Sequence, residues 1–572
     1  MVNAAASDRD LLSIREAQTL ARRAKEAQAE LAEFSQEQID DIVAAMASAA
    51  TEHAEASAIA AVKETGYGVI ADKIQKNLFA SQDVYRFIKP LKTVGVVSRD
   101  EARKVVEIAE PFGVVAAIVP STNPTSTTIF KALIAIKARC AIVLSPHPSA
   151  TICIGHIADI LIEAATKAGA PIGAISVMRS VTVEGTQELM RHPDISLILA
   201  TGGMGLVRSA YSSGKPAYGV GPGNAPAYIE RSADVPKAVR DIVTGKTFDN
   251  GVLCSSENSV ITDEVIVDQV RKEFRANGAC FLTAGGISAV GKVLVSPQRL
   301  PNPSLVGKTA VEIANAAGIA VPPSTRVLIA ELQGVGRDYP LSIEKLCPVL
   351  SFYVVKDWHE ACERCKQILR YGGMGHTMSI HSNNKEVVLE FGLKKPAFRI
   401  VVNTPTTHGS IGLTTGLDPS MTLGCGGYGG NITSDNISPL HLLNIKRLAY
   451  EVKATKVKPA QEIPGISNLP KTSVPLPSAG IEAGALTQKI DQFLSTRGYQ
   501  PASVPKPSSP DPVLEPQEGS AKIASFVCEQ DVRLAHQEGR RIRIGDETIV
   551  TPAAKDFAME HKIFIPSDWL DQ

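Results

Sequence analysis

With 572 residues, 44% of them apolar, the chain is long enough for about two to four domains with sizeable buried cores. Lysine plus arginine and aspartate plus glutamate stand at 59 each, so no net field exists to draw in nucleic acid or an anionic membrane. Small molecules are the expected ligands.

The nine cysteines are scattered and odd in number, and no secretory signal precedes them, so free thiols in a reducing cytoplasm are expected. Cys362 and Cys365 have CxxC spacing, but with no second pair nearby and in a helix-like stretch they predict neither metal nor redox use. No metal is expected elsewhere. No apolar run reaches the ~20 residues needed to cross a bilayer, and no membrane partner is expected.

From about Leu11 to Ile88 the chain is rich in alanine and charge, with apolar residues at helical spacing, as in Ile39, Ile42, Val43 and Met46; packed helices follow. The runs Gly113–Pro120 and Cys140–Leu144 read as strands, each followed by a helix, Thr127–Lys137 and Ala150–Ala168. Strand and helix alternating at this spacing predict βαβ units on a parallel sheet. Ser196–Ala200 repeats the form and leads into a glycine-rich turn, Thr201-Gly-Gly-Met-Gly205, and a further α/β region runs from Ser259 to about Leu448.

After about Val457 the composition changes: proline and serine dominate 458–478 and 499–516, which predicts extended linkers. Between them Leu486, Ile490, Phe493 and Leu494 fall on one helical face. Beyond, 520–566 reads as a small separate module, with strands at Ile542–Ile544 and Thr548–Val550 and a helix capped by Thr551 with Pro552 in its first position.

Cys254, in Phe248-Asp-Asn-Gly-Val-Leu-Cys-Ser-Ser, sits among a glycine turn and small hydroxyl residues, a context for a nucleophile more than for core packing. Its thiolate attacks carbonyl carbon readily, which makes an aldehyde the natural target. The other candidates each carry two open readings. The turn at Thr201, Gly202 and Gly203 suits a pyrophosphate, or is glycine-rich for steric reasons alone. The turn Ser145, Pro146, His147, Pro148 follows a strand where a dinucleotide's ribose would rest. Asn123 donates to an oxyanion, or closes an Asx turn before Pro124. His376, hemmed by glycines, meets a ligand or only shapes a turn. Glu344 holds a ribose hydroxyl or is a surface charge.

Taken in order, Thr122-Asn-Pro-Thr-Ser, Ser145-Pro-His-Pro, His192-Pro-Asp-Ile-Ser-Leu-Ile-Leu-Ala-Thr-Gly-Gly, Tyr211-Ser-Ser-Gly-Lys-Pro-Ala, Gly219-Val-Gly-Pro-Gly-Asn, Phe248-Asp-Asn-Gly-Val-Leu-Cys, Gly373-Met-Gly-His-Thr, Val402-Asn-Thr-Pro and Leu423-Gly-Cys-Gly-Gly-Tyr-Gly-Gly-Asn resemble the CoA-acylating aldehyde dehydrogenases, and most of all the aldehyde dehydrogenase half of bifunctional alcohol/aldehyde dehydrogenases. The likeness spans about residues 10–450, and the Pro-rich remainder is too short for an iron-dependent alcohol dehydrogenase half.

That resemblance implies an α/β, aldehyde dehydrogenase-like fold. A Rossmann-type NAD-binding domain would occupy 1–245 together with part of an oligomerisation element. An α/β catalytic domain would follow at 246–430, a return to the oligomerisation element at 431–455, linkers with the amphipathic helix at 456–519, and the small module at 520–572. It makes Cys254 the nucleophile and Asn123, with the Cys254 backbone amide, the oxyanion hole, and it matches His376 to the family's Gly-His-Thr histidine. Thr122, the Ser145–Pro148 turn, Thr201, Gly202 and Gly203 would line NAD, with NADP left open, and Glu344 would hold the nicotinamide ribose.

Hydrolytic relatives carry a water-activating glutamate in a Leu-Glu-Leu-Gly-Gly segment. Here the corresponding stretch, Val220-Gly-Pro-Gly-Asn224, has no carboxylate, so coenzyme A is expected to collect the acyl group, reversibly. Acetaldehyde, propionaldehyde and sulfoacetaldehyde are the substrates considered; hydrolysis to the free acid and an idle scaffold are the competing readings. A homo-oligomer is implied. The tail resembles extensions that direct enzymes to a bacterial microcompartment shell protein, which sets the interior of such a compartment beside the open cytoplasm as the expected location; a helix packing on the enzyme's own surface is the plainer alternative.

Overall fold

The computed structural model describes residues 7–455, 488–489, 492–493, 524–561 and 563–566. It divides into two units, Met1–Lys456 and Val457–Gln572.

Helices Asp8–Leu31 and Gln36–Glu52 each open on a reciprocal serine cap, Ser7 with Asp10 and Ser35 with Gln38, each worth about 1 kcal/mol. Their small and branched faces, Ala17, Ala21 and Ala24 on one and Ile39, Ile42, Val43 and Met46 on the other, are fully buried in one core. The helical spacing of the sequence is thus the spacing of contact.

Strands β1 (Gly95–Asp100) and β2 (Val105–Pro111) form an antiparallel ribbon. Next come β3 (Val114–Val119), β4 (Ala141–Pro146), β5 (Ile175–Val177), β6 (Ile195–Thr201) and β7 (Ala217–Val220), a parallel sheet ordered β5-β4-β3-β6-β7. Every residue of β3 and β4 is buried, as both-sided helix cover requires. The order runs outward from β3 in one direction and then returns on its other side. The reversal lies between β3 and β6, and a crevice opens beyond the carboxyl ends of strands at such a point.

The second sheet comprises β8 (Ala225–Ile229), β9 (Glu257–Asp263), β10 (Ala279–Phe281), β11 (Val327–Glu331), β12 (Val349–Val355), β13 (Gly375–His381) and β14 (Ala397–Val402), all parallel, in the order β10-β11-β12-β9-β8-β13-β14. Alternate residues enter different cores: Val260, Ile329 and Phe352 on one face, Ile261, Leu328 and Tyr353 on the other. Strand β15 (Leu443–Ala449) then returns to pair antiparallel with β2.

The changeover between sheets falls between Val220 and Ala225, because Ala225–Ile229 is a short buried strand and helix Val235–Thr247 packs on the second sheet through Val239, Ile242 and Val243. Pro148–Lys167 is, by length and composition, apolar enough to cross a bilayer, contrary to the sequence reading. In the fold its Ile154, Ile157 and Leu161 are buried in the same core as β3 and β4.

In the second unit, β16 (Ala524–Val527), β17 (Ile542–Val550) and β18 (Phe564–Pro566) form a parallel sheet joined by helices Glu529–Gln537 and Pro552–His561 over a core of Val527, Val532, Ala535, Ile542, Ala554, Ala558 and Ile563. The Thr551 hydroxyl accepts from the Ala554 N–H at 3.4 Å, at the N-cap position read from the sequence. Leu486, Ile490 and Leu494 of the amphipathic stretch lie outside the described residues.

Candidate active site

A cavity of about 580 Å³ opens beyond the carboxyl ends of β3, β4 and β6. Its wall brings together Thr122, Asn123, Pro146, His147, Pro148, Thr201, Gly202, Gly203, Cys254 and Glu344, residues far apart in the chain. Ser145 and His376 are not in that wall. The Ser145 hydroxyl is buried against Thr186 Oγ1 at 2.9 Å, and His376 is fully buried behind the surface.

The dinucleotide-type turn fits an anionic, hydrogen-bonding ligand on two counts. The Thr201 hydroxyl is buried without a partner, and helix Met204–Tyr211 starts at Gly203 with no side-chain cap on its amides. Free N–H groups at a helix start favour phosphate. His147 uses Nδ1 to accept from the Ser149 N–H at 3.2 Å, so the turn after β4 is fixed locally.

Asn123 stands at the N-cap position of helix Pro124–Lys137, yet its side chain makes no capping bond. The Asx-turn reading therefore gives way. Its Oδ1 accepts from Lys76 Nζ at 2.6 Å, and its Nδ2 donates to Thr122 Oγ1 at 3.2 Å.

Cys254 lies in the short link between helix Val235–Thr247 and β9, half-buried in the cavity wall. Just before it, Asp249, Asn250 and Gly251 have φ of 49°, 53° and 73°, three successive left-handed residues. Asp, Asn and Gly tolerate that region best. The bend is pinned by the buried Asp249 carboxylate. Oδ1 accepts from the Val69 N–H at 2.7 Å, while Oδ2 takes both Lys73, at 2.9 Å, and Lys76. Lys73 also donates to the Thr122 carbonyl at 3.1 Å.

On the other side the loop Gly221–Asn224 presses against the cysteine segment. The Gly223 N–H donates to Glu344 Oε1 at 2.9 Å, and Asn224 Nδ2 donates to the Ser342 carbonyl at 2.8 Å. No carboxylate stands in this loop, and Glu344 is the single carboxyl among the described residues of the cavity wall.

Burial pushes the Cys254 thiol up to about 12, with the Glu344 and Cys425 charges adding to it and the Arg399 cation opposing. At rest the sulfur is protonated. Glu344 is pushed up to about 8 by burial, against the Gly223 hydrogen bond and the charges of Lys246 and Lys345. His376 is driven down to about 3 by burial and by Arg399, so its imidazole is neutral; Nδ1 meets Thr377 Oγ1 at 2.9 Å, and Nε2 is buried without a partner.

Sequence reasoning missed Lys73, Lys76 and Asp249. The two lysines lie in a stretch read only as charged packed helix, and their burial gave no local signal. Asp249 carried one, since Asp-Asn-Gly is a left-handed turn signature.

The family model for the aldehyde dehydrogenase family matches residues 10–285. The bifunctional aldehyde-alcohol dehydrogenase AdhE of Escherichia coli (strain K12) is 45% identical over 442 residues, which are 76% of this chain and 50% of that protein. The chain thus spans about half the length of such bifunctional relatives. The succinate-semialdehyde dehydrogenase (acetylating) of Clostridium kluyveri is 39% identical over 446 residues, 78% of this chain and 98% of that one. Among solved structures, an acetylating aldehyde dehydrogenase from Geobacillus thermoglucosidasius superposes with a TM-score of 0.78 at 51% identity, covering 79% of this chain and 100% of the other.

Proposed function

The chain belongs to the aldehyde dehydrogenase family, among its acylating members, and from that premise we propose that it oxidises a short-chain, acetaldehyde-like aldehyde to an acyl-CoA, reversibly, through a thioester on Cys254. The observation that carries this reading is the meeting of Cys254 and Asn123 in one cavity whose adjoining loop, Gly221–Asn224, offers water no base.

Cys254 sulfur adds to the aldehyde carbonyl, its proton passing to solvent in the cavity as the C–S bond forms. The developing oxyanion accepts from Asn123 Nδ2 and from the Cys254 backbone N–H, donors worth on the order of 3 kcal/mol each in such sites. His376 enters as an uncharged imidazole behind the cysteine segment, its buried Nε2 open to accept a hydrogen bond but too weakly basic to take the thiol's proton. Thr201, Gly202, Gly203 and the open start of helix Met204–Tyr211 would hold the dinucleotide's phosphates, Thr122 and the Pro146–Pro148 turn its adenosine side, and Glu344 the nicotinamide ribose; NAD bound there supplies the hydride acceptor. NADP is equally admitted, because no carboxylate follows β4 to repel a 2′-phosphate.

Loss of hydride from the tetrahedral adduct leaves the thioester. Below about pH 8 Glu344 is protonated and cannot deprotonate water, so the thioester persists until a coenzyme A thiol displaces Cys254 by exchange.

NADH formation with and without coenzyme A, in the wild type and in Cys254→Ala, tests the proposal. Turnover that needs both the thiol and coenzyme A supports it. Equal turnover without coenzyme A points to hydrolysis, and no turnover with any short aldehyde points to a scaffold.

The three-stranded sheet β1-β2-β15 leaves Val96, Ile445 and Leu448 exposed beside unpaired strand edges, which supports a homo-oligomer built through it. For 456–572 we propose docking to a microcompartment shell protein, with the enzyme residing in the cytoplasm or in that compartment. Deleting 456–572 is expected to leave turnover intact and abolish shell association, whereas collapse of activity refutes this role for the tail.

A further inference from the structure

We propose that Lys76 is a positioning residue for the oxyanion site, fixing the Asn123 amide so that its NH2, and not its carbonyl, faces the reacting carbonyl group.

An ammonium group only donates. The 2.6 Å contact from Lys76 Nζ to Asn123 therefore identifies the atom it meets as Oδ1 and turns Nδ2 to the opposite edge of the amide. One N–H of that NH2 goes to Thr122 Oγ1 at 3.2 Å, and the second is left for the cavity that Asn123 lines. The Thr122 hydroxyl can donate or accept, so without the lysine it would serve either amide orientation. A flipped amide aims its carbonyl oxygen at a developing negative charge, converting a stabilising group into a repelling one.

The lysine is itself held from the nucleophile's side. Asp249, five positions before Cys254, takes Lys73 and Lys76 on one carboxylate oxygen, and Lys73 reaches the Thr122 carbonyl. Lys73 and Lys76, at i and i+3 on helix Ile70–Leu78, thus hold consecutive residues of the β3–helix turn, while their shared acid belongs to the cysteine bend. Donor and nucleophile are set by one buried carboxylate. Burial and the neighbouring Lys73 charge bring Lys76 down to about 8, opposed by Asp249 and Asp72.

The proposal rests on the acyl-transfer reading, and wild-type turnover with coenzyme A checks that reading separately. Lys76→Met leaves Asp249 paired with Lys73, so no unpaired charge is buried. It is expected to lower kcat by about 10- to 100-fold, up to the lower end of what losing one oxyanion donor outright costs, while KM for aldehyde moves less than about threefold. In an Asn123→Ala background the same change is expected to cost less than about threefold more, because the amide it positions is gone. Alkylation of Cys254 by iodoacetamide, which uses no oxyanion donor, is expected to stay within about twofold of wild type. Lys73→Met, which removes a charge from the same acid without touching Asn123, is expected to lose less kcat than Lys76→Met. An unchanged kcat, additive losses with Asn123→Ala, an alkylation rate that falls in step with turnover, or equal losses in the two lysine variants each overturn the proposal. Should Lys76→Met fail to fold, Lys76→Arg replaces it. A cation with donors for both partners is expected to stay within about tenfold of wild-type kcat, and a larger loss overturns the proposal.

Discussion

The Gly223 backbone runs so close beneath Cys254 that a Cβ added at Gly223 would lie 2.0 Å from the Cys254 carbonyl oxygen. The loop Gly221–Asn224 therefore has no room at this position for any side chain.

Gly223→Ala is expected to push the cysteine segment away and cut kcat by about 100-fold, the scale of a 1 Å misplacement at a reacting centre. Steady-state kinetics and iodoacetamide labelling of Cys254 check this together. Wild-type values for both would mean that the loop and the thiol are not tightly packed.

Because the Cys254 thiol is pushed up to about 12, its alkylation rate is expected to climb about tenfold per pH unit from pH 7 to 10 without a plateau. The Glu344 charge is one cause of that elevation, and it is present only above about pH 8. Glu344→Gln should therefore leave the rate unchanged at pH 7 and raise it above pH 8. A plateau below pH 9 in the wild type would contradict this.

Hydrolytic leakage carries its own pH signature. The raised Glu344 carboxyl ionises as pH rises through about 8, so NADH formation without coenzyme A is expected to be about tenfold faster at pH 9 than at pH 7, following the ionised fraction. Glu344→Gln should flatten the profile. A leak already maximal at pH 7, or unaffected by the substitution, assigns water activation elsewhere.

Asp249→Ala removes the shared partner of two buried lysines and of the Val69 N–H, leaving positive charge without compensation. A loss of about 3–5 kcal/mol in unfolding free energy is expected from breaking such a buried group. Denaturant unfolding monitored by circular dichroism measures it, and a change below 1 kcal/mol would show that the bend supports itself.

Much of the architecture was written locally. Short continuous apolar runs marked β3, β4 and β6, and the turns after them supplied most of the cavity wall, because strand ends on a parallel sheet converge whatever the intervening helices contain. Ser145 and His376 were drawn to the site by the same logic and are found buried off the wall, since a motif fixes a position along the chain but not which side of the surface its side chain takes. Lys73 and Lys76 were illegible for a different reason. A lysine on a helix reads as solvated unless its acid is known, and Asp249 lies 173 residues beyond Lys76. The boundary near residue 225 was hidden by an Ala-Pro-Ala run too weak in β-branched residues to announce a strand.

That same long span governs how the enzyme is born. During synthesis from the amino terminus, helix Ile70–Leu78 leaves the ribosome well before residue 249 exists, and its two lysines wait without their acid. Only when the later segment arrives can the bend be seated and the sulfur be aimed. A nascent chain ending short of it therefore holds the lysine that fixes Asn123 without the carboxylate that seats it.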